Sequence, residues 1–151
     1  MTRTGIAIRG LELDDLRKVF LLGNELFQKD NAFTRPWDEK TLAGVLASDR
    51  ELSSVAVAGK ELAGFLIGAV HGRDADNRLA EIIWLGVQRR HIQELAPALL
   101  ESFITRCAER MIEKIRFQVF ASDPELIEIC RKFNFTQIEH LLIMESFLSK
   151  K

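Results

Sequence analysis

Hydrophobic positions along this chain change their period several times, and each change marks an element boundary. Gly5–Arg9 alternates weakly between polar and apolar residues, the two-residue period of an opening strand. Leu16, Val19, Phe20, Gly23, Leu26 and Phe27 then recur at three- and four-residue spacing. That spacing predicts an amphipathic helix capped near Leu13–Asp14. Lys29 to Pro36 breaks the pattern with Asp30-Asn31 and Arg35-Pro36, which is loop chemistry, and Pro36-Trp37 predicts a second short helix through Leu46. Ser53–Ala58 and Leu62–His71 are apolar runs joined by Ala58-Gly59-Lys60-Glu61, a hairpin signal. After the polar loop Gly72–Arg78, Leu79–Val87 predicts another strand, apolar except for Glu81.

From Leu95 the period lengthens again. Leu95, Leu99, Phe103, Cys107 and Met111 line one face of a long helix, in which Pro97 is tolerated only within the first turn. Ile115–Ala121 predicts a strand, and Ser122-Asp123-Pro124 opens a helix with Leu126, Ile129, Cys130 and Phe133 on its face. Asn134 follows where a left-handed stop is wanted, and Thr136–Leu148 is apolar and strand-like. The expected order is β-α-α-β-β-β-α-β-α-β. The central hairpin calls for antiparallel pairing, and the strand–helix–strand unit from Leu79 to Ala121 calls for a parallel pair with a right-handed crossover. The expected fold class is α+β, a mixed, mostly antiparallel central sheet with helices on both faces. With no repeats, low-complexity tracts or linkers, residues 1–151 read as a single domain.

Composition narrows the function classes. At 151 residues and 47% hydrophobic, the chain can bury roughly 68–70% of its unfolded surface, so disorder is excluded. Lys+Arg 21 against Asp+Glu 22 lacks the basic excess of a nucleic-acid binder. MTRTGIAIRG lacks the apolar run and cleavage site of a secretory signal, and no stretch approaches the roughly 18 apolar residues of a membrane span. Cys107 and Cys130 form no metal or redox spacing, and His71, His91 and His140 are scattered. The expectation is a reduced, cytoplasmic protein without a metal, a nucleic-acid partner or a membrane partner.

Two stretches carry a resemblance. Ala80-Glu81-Ile82-Ile83-Trp84-Leu85-Gly86-Val87 looks like the fourth strand of the GNAT superfamily of acyl-CoA-dependent N-acyltransferases, and Asp123 to Phe135 (DPELIEICRKFNF) resembles that family's Asn-x-x-Ala-x-x-x-Tyr-x-x-x-Gly-Phe. The resemblance spans nearly the whole chain. It implies a GNAT-like sheet with a splayed parallel pair, acetyl-CoA as co-substrate, and transfer of an acetyl group to a small-molecule or peptide amine by direct attack. It places a general base at Glu81. It also puts the Leu85 and Val87 backbones along the pantetheine arm, with the Val87 backbone as the donor to the thioester and Gly86 suited to a bulge. The pyrophosphate stretch corresponds to His91, Ile92, Gln93, Glu94, Leu95, Ala96 and Pro97, with Asp123 at the start of the last helix. Phe33, Arg35 and Trp37 fall in the loop that shapes the acceptor pocket.

This sequence departs from the family at two places. A pyrophosphate cradle needs free backbone N–H groups and glycines that let the backbone approach an anion. Here Ile92 and Glu94 stand at the glycine positions, only Ala96 fits, and Pro97 has no N–H. Cys130 replaces the tyrosine that protonates the leaving thiolate in such enzymes; it is either a proton donor or a small buried core residue. Each candidate also has a plainer reading. Glu81 is a base or a salt-bridged strand glutamate near the Arg78 loop, and Phe33, Arg35 and Trp37 are a pocket or aromatics that pin a loop to the core. Arg89-Arg90-His91 reaches phosphates or is solvated, and the Lys150-Lys151 tail reads as a frayed terminus. Leu141–Phe147 pairs across a homodimer or forms an ordinary strand. The competing function is a catalytically silent GNAT-fold binding module that has lost normal coenzyme A binding; a carrier-protein-bound acyl donor is a third reading.

Overall fold

The computed structural model describes residues 5–27, 36–72 and 77–148. Five strands form one sheet in chain order: β1 (Ile6–Gly10), β2 (Ser54–Ala58), β3 (Glu61–His71), β4 (Leu79–Val87) and β5 (Ile115–Phe117). β1 to β4 pair antiparallel and β4 runs parallel to β5, so the mixed α+β architecture expected from the sequence holds. Helices α1 (Leu16–Phe27) and α2 (Glu39–Asp49) connect β1 to β2. The crossover from β4 to β5 is α3 (Ile92–Glu109), and α4 (Pro124–Lys132) follows β5.

Apolar layers cover both faces of the sheet. On one, Val19 and Leu22 of α1 and Leu42 and Leu46 of α2 pack with Phe65, Ile67 and Trp84. On the other, Leu99, Leu100 and Phe103 of α3 and Ile129 of α4 pack with Leu66, Ala80 and Ile82. This two-sided burial is why β3 reads as a nearly continuous apolar run. A Cβ at Gly68 would stand 2.4 Å from the Phe103 ring, and one at Gly86 2.6 Å from the Phe65 ring. Gly86 therefore makes room for Phe65 and does not host a bulge. The bulge lies earlier: the register passes from Ile67↔Trp84 to Gly68↔Ile82, which leaves Ile83 as the extra residue.

Several boundaries differ from expectation. The second helix starts later because Asp38 caps it, its carboxylate accepting the Thr41 N–H at 2.7 Å. The helix of the crossover begins at Ile92, continuous with a 3-10 turn over Arg89–His91, so Pro97 stands in its second turn and offers no N–H to the Gln93 carbonyl. That helix stops at Glu109. Met111 turns left-handed (φ 60°) and is 78% exposed, while Ile112 returns its N–H to the Cys107 carbonyl and is 4% exposed, taking the buried place. Regular pairing of the fifth strand ends at Phe117 instead of Ala121.

The last element is absent as a strand. Asn134 adopts φ 69°, the left-handed stop its identity predicts, and Phe135 still returns its N–H to the Cys130 carbonyl at 3.2 Å. Beyond it, residues 136–148 are exposed and have no regular secondary structure. Among the described residues their strand-like pattern meets no partner strand. Among the described residues no helix is long and apolar enough to cross a membrane.

Candidate functional site

The parallel pair opens partway along β4. β5 matches it only from Ala80↔Ile115 to Ile82↔Phe117, so Ile83–Val87 run on past their last partner on that side. The Ala80 N–H points toward β5, reaching the Lys114 carbonyl at 3.0 Å, whereas the Gln88 N–H points toward β3, reaching the Ala63 carbonyl at 3.2 Å. Backbone direction alternates along a strand. Counting back from Gln88, the Val87 and Leu85 N–H groups face the opening. The bulge at Ile83 is what turns these two amides, in place of those of Trp84 and Gly86, to that side.

Glu81 lies at the closed end of this opening, register-paired with Ala69 of β3 and Arg116 of β5. Its Oε1 stands 2.7 Å from Nε2 of His71, with the two side chains 27% and 43% exposed. His71 pairs with Leu79, two positions from Glu81, so the contact is a diagonal one on the face that α1 and α2 cover. The carboxylate accepts a hydrogen bond from the Nε2–H tautomer, which orients it. His71 did not stand out in the sequence. The available signal was its place beside the loop that joins two antiparallel strands.

The stretch before α3 is closed upon itself. The His91 N–H bonds the Gln88 carbonyl at 2.8 Å, and the Ile92 N–H is taken by the Arg89 carbonyl. Ile92, Leu95 and Ala96 are buried in the core, so only their backbones face the loop. Arg89 stands 3.3 Å from Glu125 and 3.8 Å from Asp123, and the Gln93 amide donates to Glu125 at 2.6 Å. Asp123 also caps α4 by accepting the Leu126 N–H at 3.2 Å. A surface hollow of about 270 Å³ beside the start of α3 is lined by Gln93, Glu94, Pro97, Ala98, Glu101 and Phe133. Carboxylates thus gather where a pyrophosphate cradle presents positive charge. Glu125, the residue that ties down Arg89, is far from it in sequence and was not singled out there.

Trp37 sits in an aromatic cluster on the face of the sheet that α1 and α2 cover. Its ring lies 4.9 Å from Trp84 and 5.2 Å from Phe27, both edge-on, and 5.4 Å from Phe65, stacked. Its indole N–H donates to the Phe20 carbonyl at 3.3 Å. The packing is tight enough that a Cβ on Gly23 would come within 2.0 Å of the indole. Phe33 and Arg35 lie outside the described residues, as do Lys150 and Lys151. Cys130 is buried on α4, where burial pushes its thiol up to about 11 with Asp123 adding to the shift, and burial likewise raises Cys107 to about 11. Among the described residues no group of three or more His, Cys, Asp or Glu side chains could hold a metal ion.

No family model matches the sequence, and no curated protein sequence matches it. Solved structures do match in three dimensions. Arabidopsis thaliana Naa50, in complex with the bisubstrate analogue CoA-Ac-MVNAL, superposes with a TM-score of 0.75 at 16% identity, over 94% of this chain and 93% of that one. Ard1 from Thermoplasma volcanium gives 0.72 at 20% identity, over 88% and 84%. The aminoglycoside acetyltransferase meta-AAC0020, from an uncultured soil metagenomic sample and in complex with sisomicin, gives 0.72 at 21% identity, over 96% and 97%. Taken with the bulged fourth strand and the parallel pair that opens beyond it, these likenesses establish the architecture: the chain has a GNAT-like fold.

Proposed function

We propose that the protein is an acyl-CoA-dependent N-acyltransferase that moves an acetyl group to the amine of a small molecule or peptide. The observation that carries this reading is the opening beyond Ile82 and Phe117, with the Leu85 and Val87 amides facing it and Glu81, oriented by His71, at its head. The acceptor class is in line with neighbours solved with CoA-Ac-MVNAL and with sisomicin.

Distances along β4 support a division of roles between the two amides. At about 3.3 Å per residue, Leu85 lies about 13 Å and Val87 about 20 Å from Glu81. The Leu85 N–H is the one near enough to act with Glu81, donating to the thioester carbonyl oxygen as negative charge gathers there. The Val87 N–H holds the pantetheine arm further along. Glu81 takes a proton from the acceptor ammonium through water, and the freed nitrogen attacks the carbonyl directly. Collapse of the tetrahedral intermediate breaks the C–S bond and releases coenzyme A as its thiolate, which takes up the second proton that the nitrogen loses. The donor supplies an acyl group already activated as a thioester. The pantetheine end of the donor fits these residues. The diphosphate end does not find an open cradle, since the amides of His91 and Ile92 are bonded within the 3-10 turn and Arg89 is held by Glu125. That closed turn is also the observation that favours a second reading, a GNAT-fold binding module without catalysis.

Thermal melts with acetyl-CoA and with S-acetylpantetheine, which lacks the diphosphate, separate the two. Saturation at 100 times the dissociation constant adds about 2.7 kcal/mol, a rise of roughly 5–10 °C for a domain of this size. Glu81→Gln is expected to keep that shift and to lose about 10²- to 10⁴-fold in acetylation across a panel of amines. A melt unmoved by either compound leaves the binding module as the function.

A further inference from the structure

On the basis of the acyltransferase reading above, we propose that the acceptor is a small amino acid, an amine that carries its own carboxylate. Glu81 receives the ammonium and Arg116 the carboxylate. β4 and β5 set these two side chains abreast, because Glu81 and Arg116 are register partners in the parallel pair. Their direction follows from their neighbours. Ala80 and Ile82 on β4, and Ile115 and Phe117 on β5, all pack into the core beneath α3 and α4. Successive side chains point to opposite faces of a strand, so Glu81 and Arg116 both stand on the other face, with neighbouring strands about 4.8 Å apart. Lys114, immediately before β5, adds a second exposed cation at this end of the pair.

The charges here suit a zwitterion. Glu81 turns Oε1 to His71 of β3, and among the described residues its Oε2 has no partner. Arg116 and Lys114 are exposed, and among the described residues neither side chain has a hydrogen bond or an ion pair, although a carboxylate is the register partner of Arg116. One carboxylate thus stands beside two unanswered cations. A polycationic amine would be repelled by both of them on its way to Glu81. An amine without further charge would leave them in water and gain nothing from them. An amino acid answers both signs: its ammonium meets Glu81 through a water, and its carboxylate accepts the forked N–H pair of Arg116. The opening begins immediately past these residues, beyond Ile82 and Phe117, so an amine held here stands at its head. Arg116 is therefore a specificity-determining residue and takes no part in proton transfer.

Acetylation of matched acceptors is the test: glycine, alanine, phenylalanine and glutamate, each against its α-amide, with acetyl-CoA and with S-acetylpantetheine as donors. The amide keeps the amine and the side chain and lacks the carboxylate. Since the two amines differ in basicity, the reading is how the acid-to-amide ratio of kcat/KM changes between proteins. Arg116→Gln is expected to lower that ratio about ten- to hundredfold, chiefly through KM of the acids, the range of one hydrogen bond to a charged group. Arg116→Lys should restore part of it, and circular dichroism checks that both variants fold. Spermidine, offered to the wild type, gives a measurement that needs no variant and is expected to be a poorer acceptor than the amino acids. A ratio that Arg116→Gln leaves where it was, or a preference for spermidine, would overturn this substrate class and leave the acyltransferase reading standing. A wild type that acetylates none of these amines would overturn both.

Discussion

Glu125→Gln is expected to tighten the binding of acetyl-CoA. In the native chain the Glu125 carboxylate holds Arg89 at 3.3 Å and accepts from the Gln93 amide at 2.6 Å, beside the start of α3. Arg89 and Glu125 are 67% and 39% exposed, so the ion pair itself contributes little to stability, about 0–1 kcal/mol. Its effect on an anionic ligand is larger. A carboxylate about 6 Å from a phosphate repels it by about 0.7 kcal/mol at the dielectric of water and about 2.8 kcal/mol at an effective dielectric near 20. Screening over a Debye length of about 8 Å roughly halves both figures. Removing the charge, while the neutral amide keeps the bond from Gln93, should therefore raise affinity about two- to tenfold. Calorimetric titration at low and high salt measures it. The gain should shrink at high salt and be smaller in an Arg89→Ala background, because part of it acts through the released guanidinium. S-acetylpantetheine should bind both proteins alike. An unchanged or weaker affinity for acetyl-CoA at low salt, or an equal gain with S-acetylpantetheine, would refute the electrostatic account of this loop.

Three further outcomes follow from the packing. Gly23→Ala is expected to lower the melting temperature by several degrees, a cost of about 1–3 kcal/mol, because its Cβ would fall 2.0 Å from the Trp37 ring. Gly44→Ala on α2, where a Cβ meets nothing within 4 Å, should instead stabilise by about 0.5–1 kcal/mol, so the pair of melts separates crowding from helix propensity. Asp15 is 5% exposed, bound by Arg9 at 2.7 and 2.9 Å and by the Glu12 N–H at 2.8 Å, and these bonds hold its carboxyl below the usual range. A lowered native pKa contributes stability that is present above pH 4 and is lost as pH falls through that pKa. Asp15→Asn should cost about 1–3 kcal/mol at pH 7 and show a shallower acid limb in melts between pH 2 and 5. Cys107 and Cys130, both buried with thiols raised to about 11, should resist a thiol reagent at pH 8 until the protein is denatured. Since the unfolded thiols ionise first, stability should decline as pH climbs from about 9 toward 11.

Much of the architecture is written locally in this chain. The three-and-four spacing from Leu16 to Phe27 and from Leu95 to Cys107 determined two helices, because a helix buried on one side must repeat its apolar face every turn. Asn134 determined its own left-handed stop, and Glu81 announced itself as the lone charge in an apolar strand. The missing glycines at Ile92 and Glu94 already marked the loop as a departure from a phosphate cradle. What the local pattern could not contain is anything set by two elements meeting. The bulge at Ile83 arises from the register of β4 on β3, and it alone decides that the Leu85 and Val87 amides face the opening. His71 meets Glu81, and Glu125 meets Arg89, only because strands and helices distant in sequence are brought side by side. The strand pattern of residues 136–148 failed for the same reason: a period of two states that a segment can pair, and the presence of a partner edge is a property of the tertiary or quaternary structure.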